Sequence, residues 1–125
     1  MFTQITEDSI KVLVDEFYTR VRADQQLAPI FEQAIGEHWN QHLPKMYDFW
    51  SSIMLATGRY KDNPVQKHRD LPYFSPALFD QWLYLFAQTA DEVFNKDCSE
   101  KFKYKAENIA RSLKYMLYEY PTTNK

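Results

Sequence analysis

Residues 39–58 read WNQHLPKMYDFWSSIMLATG, and their spacing decides the fold class. Leu43, Met46, Phe49, Trp50, Ile53 and Met54 follow the period of an α-helix, so they gather on one face rather than alternating across a strand. Pro44 must sit in the first turn of that helix or bend it, and Gly58 offers a left-handed cap at its far end.

The pattern repeats on either side. Thr6 can cap a helix whose apolar positions Ile10, Leu13, Phe17 and Val21 form one stripe, with Val14 and Tyr18 beside them. Asp24 to Pro29 interrupts it, and Pro29 then suits the first turn of a short helical corner that stops at Gly36. Downstream, Ser75 followed by Pro76 predicts a helix start leading through Phe79, Trp82, Leu83, Phe86, Ala90 and Phe94. Asp97 and Glu100 resemble a capping box opening a last helix through Phe102, Ala106, Ile109, Leu113, Met116 and Tyr120, closed by Pro121. Only the stretch from Tyr60 to Phe74 shows little helical periodicity, and connections of that length inside a small domain are usually functional or disordered. Four substantial helices without strand signals predict an all-α chain, and its 125 residues and 15.0 kDa suit one domain, residues 1–125. The last few residues are expected to fray.

Composition removes whole classes of function. With 2 glycines, the chain lacks the material for Gly-rich phosphate loops and dinucleotide-binding turns. A net charge of −2 and a pI near 5.9 provide no positive field for nucleic acid or an anionic membrane. Lys101, Lys103 and Lys105 read as the solvated face of a helix. No apolar run approaches the ~20 residues that span a bilayer, and no basic-then-apolar leader pattern opens the chain, so a cytoplasmic location is expected. The single cysteine, Cys98, forms no internal disulfide and no CxxC, and reads as a surface or half-buried structural residue.

Three histidines remain as chemistry. His38 and His42 are four apart and would share a helix face as half of a zinc site, but a third ligand is missing. No serine or cysteine stands in a nucleophile context. His68 lies in the irregular segment between Pro64 and Pro72, with Leu71 immediately before the second proline and Tyr73 and Phe74 after it. It reads either as a surface loop histidine or as an imidazole presented at a fixed depth. The 17% aromatic content exceeds what a bundle of this size needs, and Tyr18 and Trp82 carry polar tips inside apolar stripes. A buried hydroxyl and a buried indole N–H each need a partner, which a bound polar ligand would supply. Two such donors facing one imidazole suggest a diatomic ligand on haem iron.

At this point the sequence resembles the truncated haemoglobins of bacteria, specifically their third group. The resemblance is carried, in order, by Phe17-Tyr-Thr-Arg-Val-Arg-Ala-Asp24, Leu27-Ala-Pro-Ile-Phe31, Trp39 to Trp50, Thr57-Gly58, His68-Arg-Asp-Leu-Pro72 and Phe79-Asp-Gln-Trp-Leu83. It implies a globin-like two-over-two helical sandwich around haem b. It further implies that His68 is the iron ligand, that Tyr18 and Trp82 donate to bound O2, and that His42 stands at the distal gate. Phe31 would wedge against the porphyrin. Met46, Phe49 and Trp50 continue the face that His42 begins, and Leu71 and Phe74 flank His68 as further haem contacts. Lys45 is a candidate for a haem propionate and reads equally well as a solvated lysine. The double-glycine motifs of the other two groups are absent.

The resemblance implies a monomer or weak dimer that binds O2, with NO, CO or sulfide as further ligands, at a five-coordinate iron. The same pocket would serve oxidative chemistry, as an NO dioxygenase or a peroxidase, given an external reductase. Outside that class, the alternative is a helical interaction domain without haem, in which Tyr18 and Trp82 are core and His68 is a loop residue. His42 as a second iron ligand is the less favoured variant of the globin reading.

Overall fold

In the computed structural model, which describes residues 1–119, Thr6 opens the first helix, α1 (Glu7–Ala23), through a reciprocal cap: its hydroxyl accepts from the Ser9 N–H, and the Ser9 hydroxyl accepts from the Thr6 N–H at 2.8 Å. Pro29 sits in the first turn of α2 (Ala28–Ile35), which Gly36 ends at φ 57°. The helix read first in the sequence is α3 (Trp39–Leu55), and Pro44 lies inside it. Then follow α4 (Pro64–Arg69), α5 (Leu78–Val93), α6 (Lys96–Lys114) and a π-helical turn, Tyr115–Glu119.

Four boundaries differ from the sequence expectation, each for a local reason. Helix α3 ends before Gly58, because Ala56 takes the left-handed cap conformation at φ 58°. The segment expected to be irregular contains α4: Asn63 caps it through the Gln66 N–H and Pro64 begins it, and its 6 residues are too few to display a period. After Ser75 and Pro76 the chain first makes tight turns, Leu78 N–H to Ser75 carbonyl and Phe79 N–H to Pro76 carbonyl, so α5 starts late. The cap of α6 is Asn95, not Asp97; the chain stays extended up to it because Phe2 bridges to the Phe94 region, and its side chain accepts from the Cys98 N–H. Tyr120 and Pro121 lie outside the described residues.

Helix α1 packs on α3 and on α5, and α5 packs on α6, which is a two-over-two sandwich of helix pairs. Phe17, Phe86, Phe94 and Phe102 are its largest fully buried side chains, and Trp50 stacks on Phe86 at 4.9 Å. Cys98 is buried in the same core. Lys103 is not freely solvated as expected: its ammonium holds Asp91 at 2.9 Å, tying α6 to α5. The apolar interior falls into two clusters that meet at Leu83 and Ile109. A large one joins α1, α2, α3, α5 and α6, and a smaller one joins Phe79, Ala110 and Leu113 with Val65, Phe74 and Tyr118.

Candidate functional site

Members of both clusters line a cavity of about 390 Å³, within the size range of pockets that enclose small organic ligands. Tyr18 of α1, Phe31 of α2 and Trp82 of α5 line it. His42, Lys45, Met46, Phe49 and Trp50 line it from successive turns of α3. His68, Leu71 and Phe74 line it from α4 and the chain that follows. Every residue that the sequence singled out for a site is thus brought to one cavity.

On the α1–α3 side the wall is aromatic. Tyr18 is 6% exposed, and its ring meets Phe31 at 5.8 Å, Trp39 at 5.6 Å and His42 at 5.4 Å. Burial, and secondarily the Tyr60 phenol, push the Tyr18 hydroxyl well above its ordinary range, so it stays protonated and can donate. Trp82 is fixed between Phe17, which meets its ring edge-on at 5.4 Å, and Phe86, stacked at 5.5 Å. Neither the Tyr18 hydroxyl nor the Trp82 indole N–H has a hydrogen-bond partner among the described residues. His42 is half-buried; loss of hydration, and then the charge of Lys45, lower its pKa to about 4, so it is neutral at pH 7. Its Nε2 and the Nε1 of Trp39 are buried without a partner.

On the opposite element, α4 presents His68. The imidazole Nδ1 lies 2.7 Å from the Pro64 carbonyl one turn earlier, an acceptor that places a proton on Nδ1, so that in the neutral tautomer it selects, Nε2 is the nitrogen with the lone pair. Ligating histidines are oriented in this way. Arg69 reaches the Met116 carbonyl at 3.1 Å, and the Tyr118 hydroxyl donates to the Phe74 carbonyl at 2.8 Å, so both flanks of His68 are tied to the C-terminal turn.

The rim is polar. Lys45 and Asp62 stand 3.8 Å apart, a loose, exposed pair. Tyr60 and Lys67 also border the opening, and Tyr60 is placed by its N–H to the Ser52 hydroxyl and by an edge contact with Phe49 at 5.1 Å. Arg59 anchors this connection to α3 and α1 through Asp48, Ser51 and Glu7.

Sequence reasoning assigned no role to Trp39 or Tyr60, nor to Ala110 and Leu113 of α6, which close the cavity. Trp39 falls within the resembling α3 segment three residues before His42, so a helical wheel places the two side by side; Tyr60 lies where no period exists to read. His38, the other half of the weighed zinc pair, caps α3, and its carbonyl accepts from the His42 N–H. Among the described residues no three His, Cys, Asp or Glu side chains gather to hold a bare ion.

A two-over-two helical sandwich, split by an apolar slot with an oriented imidazole on one wall and unpaired donors on the other, defines a globin. The chain matches the bacterial-like globin family model over residues 1–115 and belongs to that family. It is 38% identical over 122 residues to the group 3 truncated hemoglobin ctb of Campylobacter jejuni, covering 95% of this chain and 96% of that relative. The crystal structure of a group III truncated hemoglobin from Campylobacter jejuni superposes with a TM-score of 0.91, at 38% identity, over 97% of this chain and 98% of that one. The chain is therefore a group III truncated haemoglobin, a haem-binding globin with a gas as its class of ligand.

The residues present fit a haem. The slot is mostly apolar, as a porphyrin face requires, and it opens at a rim that carries Lys45 and Lys67 for carboxylates. The unpaired Tyr18 and Trp82 donors are what a polar ligand at the iron would satisfy.

Proposed function

We propose that this chain binds haem b as one globin domain, residues 1–125, with His68 as the only protein bond to iron, and holds O2 on the side of Tyr18 and Trp82. Haem supplies, when bound, an iron with one position open to a diatomic gas. The chain's residues do the rest. His68 presents Nε2 because the Pro64 carbonyl holds its Nδ1 proton. Leu71 and Phe74, beside Met46, Phe49, Trp50 and Phe31, exclude water and grip the macrocycle, and Lys45 meets a propionate at the rim. Tyr18 and Trp82 donate hydrogen bonds to a ligand that carries negative charge on its far atom. His42, neutral and at the same cavity, gates the distal side without coordinating iron.

The observation that carries this reading is that buried Tyr18 and half-buried Trp82, two donors with no hydrogen-bond partner among the described residues, line the same cavity as the oriented imidazole. Two donors on one ligand favour retention, which suits scavenging better than carriage. An NO dioxygenase or peroxidase use of the same pocket fits that retention and draws electrons from a separate reductase. We place the protein in the cytoplasm as a monomer or weak dimer; among the described residues no helix is long and apolar enough to cross a membrane. Absorption spectra of ferric, ferrous and oxygenated protein test the reading. A five-coordinate ferrous spectrum that converts to a long-lived oxygenated form is expected, and a chain that takes up no haem would support the interaction-domain alternative.

A further inference from the structure

Trp39 and His42 leave two buried polar atoms without partners, side by side. They are three apart on α3, their rings meet at 5.4 Å and 88°, and neither Trp39 Nε1 nor His42 Nε2 reaches an acceptor or donor. Each such atom costs stability unless something pairs it, so native proteins rarely leave one, and two neighbours left over together point to each other. Their chemistry is complementary. The indole N–H is a donor only, and a neutral imidazole always has one nitrogen that accepts. Trp39 is also the immobile member. It is 6% exposed, stacked on Phe31 at 6.4 Å, met by Tyr18 at 5.6 Å and covered by the Arg22 guanidinium at 4.6 Å. His42 is half-buried and borders the cavity.

The Tyr18 hydroxyl completes the group, its ring 5.4 Å from that of His42. One acceptor nitrogen on His42 can therefore be claimed by two donors. When the Tyr18 hydroxyl donates its hydrogen bond to His42, it has none for a ligand; when Trp39 occupies the His42 nitrogen, the Tyr18 O–H is free to point into the cavity. We propose that Trp39 is a positioning residue for gas retention: its indole N–H takes the His42 acceptor nitrogen and so commits the Tyr18 hydroxyl to the ligand. This rests on the reading of Tyr18 as the ligand's donor.

Three variants and two readouts test it. In ¹H–¹⁵N spectra of the ferrous CO form, the Trp39 indole resonance, assigned by Trp39→Phe, should sit in the hydrogen-bonded range and move upfield in His42→Leu, where Trp39 is intact. In stopped-flow O2 dissociation, Trp39→Phe should be about fivefold faster than the parent, the equivalent of about 1 kcal/mol. Added to His42→Leu, Trp39→Phe should change the rate no further, since leucine cannot accept a hydrogen bond from the Tyr18 hydroxyl. A Trp39 role confined to packing would give the same fivefold change in both backgrounds. An unmoved indole resonance in His42→Leu, or a Trp39→Phe effect of full size in the His42→Leu background, overturns the proposal. Should Tyr18→Phe itself leave the dissociation rate unchanged, it is the underlying assignment of Tyr18 that fails.

Discussion

Replacing Tyr18 by Phe removes one oxygen atom and almost nothing else. The ring keeps its contacts with Phe17 at 5.0 Å, Phe31 at 5.8 Å and Trp39 at 5.6 Å, so the wall of the cavity should hold its shape. The hydroxyl is protonated and has no hydrogen-bond partner among the described residues, so its donation goes to whatever polar group enters. A hydrogen bond to a group with charge is worth about 1.5 to 3 kcal/mol, and at ~1.4 kcal/mol per factor of ten the O2 dissociation rate should rise roughly ten- to a hundredfold. CO carries far less charge when bound, and its dissociation should change little. Trp82→Phe should also speed O2 loss, and because both donors serve one ligand, the two effects should not add in the double variant. Stopped-flow displacement of O2 by CO measures all four proteins. A difference of less than about twofold between the parent and Tyr18→Phe would remove Tyr18 from the site.

Three further outcomes are expected. His68→Ala should lose stable haem binding, while His68→Gly supplied with free imidazole should regain a five-coordinate spectrum; retention of the normal spectrum by His68→Ala with loss in His42→Ala would transfer the axial role to His42. His42→Ala should change the association rate of CO after flash photolysis more than the dissociation rate of O2, and the reverse pattern would contradict a gating role. Acid should destabilise the fold through His42: its folded pKa of about 4 lies below the unfolded value of about 6.5, so the unfolded chain binds the extra proton first. The His42 contribution is complete above pH ~6.5 and is lost as pH falls toward 4, so thermal unfolding followed by circular dichroism should show a shallower acid decline for His42→Leu than for the parent.

How much of this was legible in the chain itself depends on the range over which each signal acts. The helical period in residues 39–55, the Thr6 cap and the stop at Gly36 are decided by neighbours a few residues apart, and they specified an all-α chain and its stripes. Resemblance over most of the chain added the globin family and singled out His68, Tyr18 and Trp82, which the fold brings to one cavity. Errors fell where a short-range rule had two solutions. Ala56 could cap as well as Gly58 because hydrogen bonds that close α3 outweigh the modest strain of its φ 58°, and Asn95 displaced Asp97 because a contact with Phe2, distant in sequence, holds the backbone extended.

Tertiary structure alone decided the site as an object. Period places Tyr18, His42 and Trp82 on their own helices' faces, but only the crossing of α1 over α3 and α5 sets their rings around one volume, which members of both apolar clusters line. The 6-residue α4 could not be read from periodicity, yet it is what delivers the Pro64 carbonyl to His68 Nδ1 at 2.7 Å and so chooses which ring nitrogen is engaged by the backbone and which is not. The unpaired state of Trp39 Nε1 and His42 Nε2 is likewise invisible to spacing, because whether a buried polar atom has a partner depends on every element packed around it. Local chemistry, carried by residues close in the chain, determined which helices form; the pocket arose from contacts between residues far apart in it, which no local pattern encodes.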